Sequence, residues 1–122
     1  MLQNASNDRY LDADGRHSGF NVDTNRRALP DTIWDLIDNG DGTWSLLNLD
    51  EGRYLDADGA GNNWNVNQSR VQRDDDLWEF IAQEDGSYLI RNVQFGRYLN
   101  QEPNGNVNTT DTPTRASRWD VG

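Results

Sequence analysis

Arg9-Tyr10-Leu11-Asp12-Ala13-Asp14-Gly15 recurs as Arg53-Tyr54-Leu55-Asp56-Ala57-Asp58-Gly59, and a third time, altered, as Arg97-Tyr98-Leu99-Asn100-Gln101-Glu102. Successive tyrosines of this segment stand 44 residues apart. Downstream, Asn21-Val22 matches Asn65-Val66 at the same spacing and Asn106-Val107 after a deletion of three residues. Trp34 and Trp78 are again 44 apart, and Trp119 follows at 41, carrying the same deletion. Upstream, Leu2 aligns with Leu46 and Ile90, and Asn4 with Asn48 and Asn92. So many matches in one frame define an internal repeat, and they divide residues 1–122 into units of about 1–42, 43–86 and 87–122 within one domain.

Each unit reads as four short strands. Thr43-Trp44-Ser45-Leu46 and Ser87-Tyr88-Leu89-Ile90 alternate with a period of two and follow the turn pairs Asp41-Gly42 and Asp85-Gly86. The Arg-Tyr-Leu segment makes a second strand, Asn-Val a third and the Trp segment a fourth, with Gly/Asn-rich loops between them. No window carries an apolar stripe of helical period over ten residues or more. Propellers need at least four blades, whereas three units of four strands suit a closed threefold barrel with a hairpin cap. In that arrangement the two chain ends pair side by side. The first unit has no counterpart of Trp44 and Tyr88, so its corner of the barrel is expected to be the weakest.

Composition narrows the function. The chain has 122 residues, five Trp, four Tyr and three Phe, and no Cys. Aromatic side chains bury much area each and can carry a small core; disulfides and thiolate metal sites are excluded. A net charge of −10 repels phosphate backbones and anionic lipids, which disfavours nucleic acid and membrane surfaces as partners. The opening residues do not read as a signal peptide and no apolar run reaches membrane-spanning length. The compartment stays open, and secretion as part of a larger protein is compatible with the sequence; a monomer or a module of a longer chain is expected.

The pattern Tyr-Leu-Asp-Ala, Asn-Val, Trp resembles the β-trefoils of the ricin-type lectin and fascin-like groups over the whole chain. The resemblance implies an all-β trefoil and, on the lectin side, shallow carbohydrate sites without catalysis or cofactor. Asp12 and Asp56 match the Asp that closes the second strand in ricin-type sites and accepts hydrogen bonds from sugar hydroxyls, a task suited to two charged acceptor oxygens. Turn chemistry explains the same aspartates equally well. Unit three has Asn100 there. The Gln of the ricin-type Gln-x-Trp signature is replaced by Thr32, Asp76 and Ser117, and the aromatic platform position by Asn25, Ser69 and Thr110.

The remaining candidates for a sugar platform are Phe20 and Trp64, equivalent positions in polar loops, with Gly105 in unit three. Alternation about Val22, Val66 and Val107 turns Asn21, Asp23, Asn65, Asn67, Asn106 and Asn108 away from the core, beside that platform. The candidate ligand-binding set is therefore Asp12, Asp14, Phe20, Asn21 and Asp23; Asp56, Asp58, Trp64, Asn65 and Asn67; and Asn100 and Asn106. Up to three sites for a glycan or polysaccharide are expected, with units one and two favoured. The rival reading is a protein-interaction trefoil, a fascin-like actin binder or a protease inhibitor.

Other residues are expected to serve the fold. Tyr10, Tyr54 and Tyr98, the following leucines, the three repeat tryptophans, and Trp44 and Tyr88 are assigned to the core, and Asn4, Asn48 and Asn92 to buried backbone groups. Asp38-Asn39-Gly40-Asp41-Gly42 fails the register of a calcium-binding loop and reads as a hairpin turn. The single histidine, His17, has no nucleophile or metal-ligand cluster beside it, so no enzyme and no metal site is expected.

Overall fold

The structure, a computed structural model, describes residues 1–122 and contains twelve strands joined by turns and five short 3₁₀ segments, with no α-helix. The strands are β1 (Leu2–Asn4), β2 (Tyr10–Ala13), β3 (Val22–Asn25) and β4 (Trp34–Asp38), then β5 (Trp44–Asn48), β6 (Arg53–Ala57), β7 (Val66–Ser69) and β8 (Trp78–Ala82), then β9 (Tyr88–Asn92), β10 (Tyr98–Gln101), β11 (Val107–Thr110) and β12 (Arg118–Val121). The Asp-Gly turns between units form as their residues dictate. Gly42 and Gly86 take φ of 91° and 88°, open to glycine, and the preceding Asp41 and Asp85 each accept the backbone N–H of the residue after the glycine at 3.0 Å.

The first and fourth strands of every unit form the barrel, in the antiparallel order β1-β12-β9-β8-β5-β4. The chain ends lie side by side, with Leu2 opposite Val121 and Asn4 opposite Trp119. The second and third strands pair as hairpins, β2 with β3, β6 with β7 and β10 with β11, and these form the cap. This is a β-trefoil. Its barrel has one seam: Trp78 pairs with Trp44 and Trp119 with Tyr88, but Trp34 has no such partner and no ladder joins β4 to β1. Trp34 is correspondingly 5 % exposed, against 0 % for Trp78 and Trp119.

The core is a stack of threefold sets: Leu2, Leu46 and Ile90; Leu11, Leu55 and Leu99; Val22, Val66 and Val107; and the three tryptophans, with Ala13 and Ala57 completing it. Each indole N–H donates to the carbonyl of the leucine in its own unit, Trp34 to Leu11 at 3.0 Å, Trp78 to Leu55 at 3.1 Å and Trp119 to Leu99 at 3.1 Å. Asn4, Asn48 and Asn92 are fully buried, and their amides donate at 2.9 Å to the carbonyls of Ala116, Asp31 and Asp75. Their Oδ1 atoms accept backbone N–H groups of the following turn. Two expectations need correction. Tyr10, Tyr54 and Tyr98 are half-buried, because alternation on β2, β6 and β10 sends the neighbouring leucine, not the tyrosine, inward. Trp44 and Tyr88 are half-buried too, lining an apolar recess of about 190 Å³ at the barrel mouth with Leu36, Phe80 and Val121.

Trp78→Phe keeps a ring but strands the Leu55 carbonyl in the core, and is expected to cost roughly 2–3 kcal/mol in urea denaturation. Trp34→Phe, beside the open seam, should cost less; equal losses at both sites would contradict the seam's role.

Candidate functional site

The three cap hairpins meet on the threefold axis, where Asn21, Asn65 and Asn106 close a ring. Asn21 Nδ2 donates to Asn106 Oδ1 at 2.9 Å, Asn106 Nδ2 to Asn65 Oδ1 at 3.0 Å, and Asn65 Nδ2 to Asn21 Oδ1 at 2.9 Å. Backbone bridges tie Asn21 to Asn67, Asp23 to Asn106 and Asn65 to Asn108 around the same point. The ring asparagines were candidates for contacting a sugar. Here their amide groups satisfy one another and hold the cap, because three outward-facing positions in sequence converge when three hairpins close.

Phe20 and Trp64 occupy equivalent positions, each directly after a 3₁₀ turn, and both adopt the left-handed backbone conformation, with φ of 59° and 57°. An aromatic residue pays steric strain there, of order 1 kcal/mol or more, that glycine would avoid. In both cases the arginine that opens the next unit's Arg-Tyr-Leu segment covers one face of the ring: the guanidinium of Arg53 lies 3.5 Å from the Phe20 centroid and that of Arg97 4.0 Å from the Trp64 centroid. Phe95 meets Trp64 edge-on at 5.6 Å. Both rings are left half-buried. At Gly105 (φ 90°) the equivalent arginine, Arg9, closes over the backbone itself, with its Nη2 only 3.4 Å from where a Cβ would stand. Arg9 and Arg97 are braced by Thr24 and Thr109 respectively.

Beside Trp64, the Asp58 carboxylate is half-buried and aimed by two amides, from Asn62 at 2.6 Å and Asn67 at 3.0 Å. Asp14 holds the matching place in unit one. Of the strand-end aspartates, Asp12 lies deeper and Asp56 is half-buried. Asp12 is 4 % exposed, and its Oδ1 is buried without a partner. Burial first, and then Asp31 and Asp23, push its carboxyl up to about 9; Asp23 rises to about 6, burial again leading. Asp56 is pushed up to about 10 by burial and by Asp76 and Asp75, and the fully buried Asp76 is also raised. Asp12 and Asp56 were expected to be the charged sugar acceptors; Asp12 is buried and Asp56 half-buried, and in both the surroundings favour the neutral carboxyl over the charged one. In unit three the chain is neutral until its end: Ser117 donates to Asn100, Asn100 to Asn108, and Asn108 to Glu102.

The structure joins Asp58 to Asn67 of β7 and brings Asp14 near Asp23 of β3, while the rings of Trp64 and Phe20 meet Arg97 and Arg53. It sends Asn21, Asn65 and Asn106 to the axis and Asp12 inward. The sequence reading missed Arg53, Arg97 and Phe95 as ring neighbours and Asp31, Asp75 and Asp76 as carboxyl neighbours. The arginines carried a signal, since they recur at 9, 53 and 97 at the head of each Arg-Tyr-Leu segment, but nothing local says that each reaches another unit's loop.

No protein-family model and no curated protein sequence matches the chain. Among solved structures, it is similar to a designed threefold-symmetric protein, ThreeFoil, with a TM-score of 0.87 and 24 % identity over 98 % of this chain and 94 % of that one. It is also similar to SeviL bound to asialo-GM1 saccharide, with a TM-score of 0.81 and 18 % identity over 98 % of this chain and 91 % of that one. At these identities the likeness establishes the fold.

The raised carboxyls fix a pH dependence. Their folded pKa values exceed the unfolded value near 4, so their contribution is present in full below about pH 4 and is lost as pH climbs through about 6 to 10. In a chelator-containing buffer, Tm is expected to fall between pH 5 and pH 9. Asp12→Asn or Asp56→Asn should raise Tm by several degrees at pH 8 and far less at pH 4. A Tm that climbs with pH over this range would contradict the assignment.

Proposed function

We propose that the protein is a non-catalytic carbohydrate-binding β-trefoil, with the loop 58–65 as its leading site and the loop 14–21 as a second. The observation that carries this reading is Trp64 itself. A large aromatic side chain is kept in a strained left-handed conformation on a polar loop, one face backed by Arg97, where glycine would relieve the strain. A braced, half-exposed ring suits the apolar face of a pyranose. Asp58, oriented by Asn62 and Asn67, supplies charged acceptor oxygens for hydroxyls within the same loop. The saccharide bound by the structurally similar SeviL supports the ligand class.

Unit one keeps the ring and its arginine, Phe20 and Arg53, with Asp14 in the place of Asp58 but Ser18 and Asp23 in place of the orienting amides. Unit three has Gly105 in place of the ring, and its Asn100, Asn108 and Glu102 are engaged with one another. Binding is therefore assigned to units one and two. Asp12, Asp56, Asn21, Asn65 and Asn106 support these sites from beneath or from the axis, and Asp23, Asn67 and Asn100 link the cap strands. A shallow site of this kind has a dissociation constant on the order of 1 mM, about −4 kcal/mol. Two sites on one rigid body raise avidity on a polymer by roughly 10².

A glycan array and a pull-down on insoluble polysaccharides identify the ligand, and NMR titration with the best hit then measures each site. Trp64→Ala is expected to weaken the unit-two site about tenfold, close to 1.4 kcal/mol. The combined Phe20→Ala and Trp64→Ala variant should abolish retention on the polymer. No signal on array or polymer, or undiminished retention by the folded double variant, would sink the carbohydrate reading in favour of a protein-interaction surface.

A further inference from the structure

Asp12, Asp14 and Asp23 bring carboxylate oxygens to within 4.8 Å of one another. Asp12 and Asp23 face each other across the β2–β3 ladder, just as Asn100 and Asn108 do across β10–β11. Unit three thereby serves as an internal comparison. There, Asn100 Nδ2 donates to Asn108 Oδ1 at 3.0 Å and Asn108 Nδ2 to Glu102 Oε1 at 3.3 Å. Two amide donors link three side chains. In unit one the same three positions are all carboxyls, and none brings an N–H.

The consequence is visible in the interior. Asp12, 96 % buried by its 4 % exposure, leaves Oδ1 without a partner, and buried oxygens of Asp23 and Asp31 are unpartnered too. Arg9 is the cation that Asp23 senses, yet its guanidinium donates to Thr24. An unpaired buried acceptor costs about 1–3 kcal/mol, and more when charged. What unit one lacks, relative to unit three, is positive charge or protons at the centre of this group.

We propose that Asp12, Asp14 and Asp23 form a binding site for a hard divalent cation of the calcium class, with the half-buried Asp31 on the 3₁₀ turn packed against β2. Calcium takes six to eight oxygens in adaptable geometry, whereas magnesium demands a near-ideal octahedron and sheds water reluctantly. Carboxylates drawn from two strands and a turn supply the first kind of shell, not the second. Asp14 and Asp23 are half-buried, so the outer side stays open to solvent for entry and for completing water ligands. The second acidic group, Asp56 with Asp75 and Asp76, also holds unpartnered buried oxygens on Asp75 and Asp76, but there Asp76 accepts the Arg73 N–H at 3.0 Å.

The test titrates calcium chloride into metal-stripped protein at pH 7.5 and constant ionic strength, with no glycan present, so that sugar binding has no part in the outcome. The backbone amides of Asp12, Asp14 and Asp23 are expected to shift saturably, with a dissociation constant on the order of 0.1–1 mM, while those of Asn100, Glu102 and Asn108 stay in place. At calcium ten times that constant the folded-to-unfolded ratio rises about tenfold, read as an increase in Tm. The Asp12→Asn, Asp23→Asn variant recreates the unit-three amide pairing and is expected to fold and lose the response. No localised shift by about 10 mM calcium, an equal effect from sodium chloride, or an unchanged response in the variant would each overturn the proposal. The wild-type amide shifts decide the matter alone if the variant does not fold.

Discussion

Three indole N–H groups, each bonded to a leucine carbonyl within its own repeat, are what the remainder of this trefoil is arranged around. A tryptophan excluded from water must place its one polar hydrogen, and the carbonyl it finds belongs to a strand of the cap hairpin. The bond therefore fixes the distance and tilt of the cap strand over the barrel strand in every unit. The buried asparagines at the ends of β1, β5 and β9 complete the frame by bonding the turn before the neighbouring tryptophan. Once these two contacts are set, the positions of the loops that carry chemistry follow.

On that frame the units diverge, and the divergence falls almost wholly outside the core. Leucine, valine and tryptophan hold the same place three times, since a shared interior admits little change in volume. The cap strands, by contrast, hold amides in unit three, carboxyls in unit one and a mixture in unit two. The aromatic of the cap loop is Phe, Trp or absent. One scaffold thus presents three electrostatic solutions to the same hydrogen-bond geometry, and each can be judged against the others without an external reference.

The 44-residue period made the trefoil legible before any coordinate was considered, because Leu11, Val22, Trp34 and their equivalents are apolar at positions only a shared core explains. The site was less legible. Alternation places Asn21 outside the core, but not on an axis where two partners from other units wait. Arg53 and Arg97 belong to the repeat, yet their targets are rings 33 residues earlier in the chain. Asp12 read equally as a sugar acceptor and as a turn residue; its burial follows from the 3₁₀ segment before β4, which packs against β2. In each case the missing quantity is a contact between segments far apart in sequence, which local pattern does not encode.

The asparagine ring runs in one rotational sense, from Asn21 to Asn106 to Asn65 and back. A hairpin that lifts from the axis breaks two of the three ring bonds, and only Asn106, which also donates to Glu102 at 2.8 Å, keeps another acceptor. No single cap loop can breathe at the cost of its own bond only. The cap is thereby locked as a three-way keystone, in which the position of each loop depends on the other two.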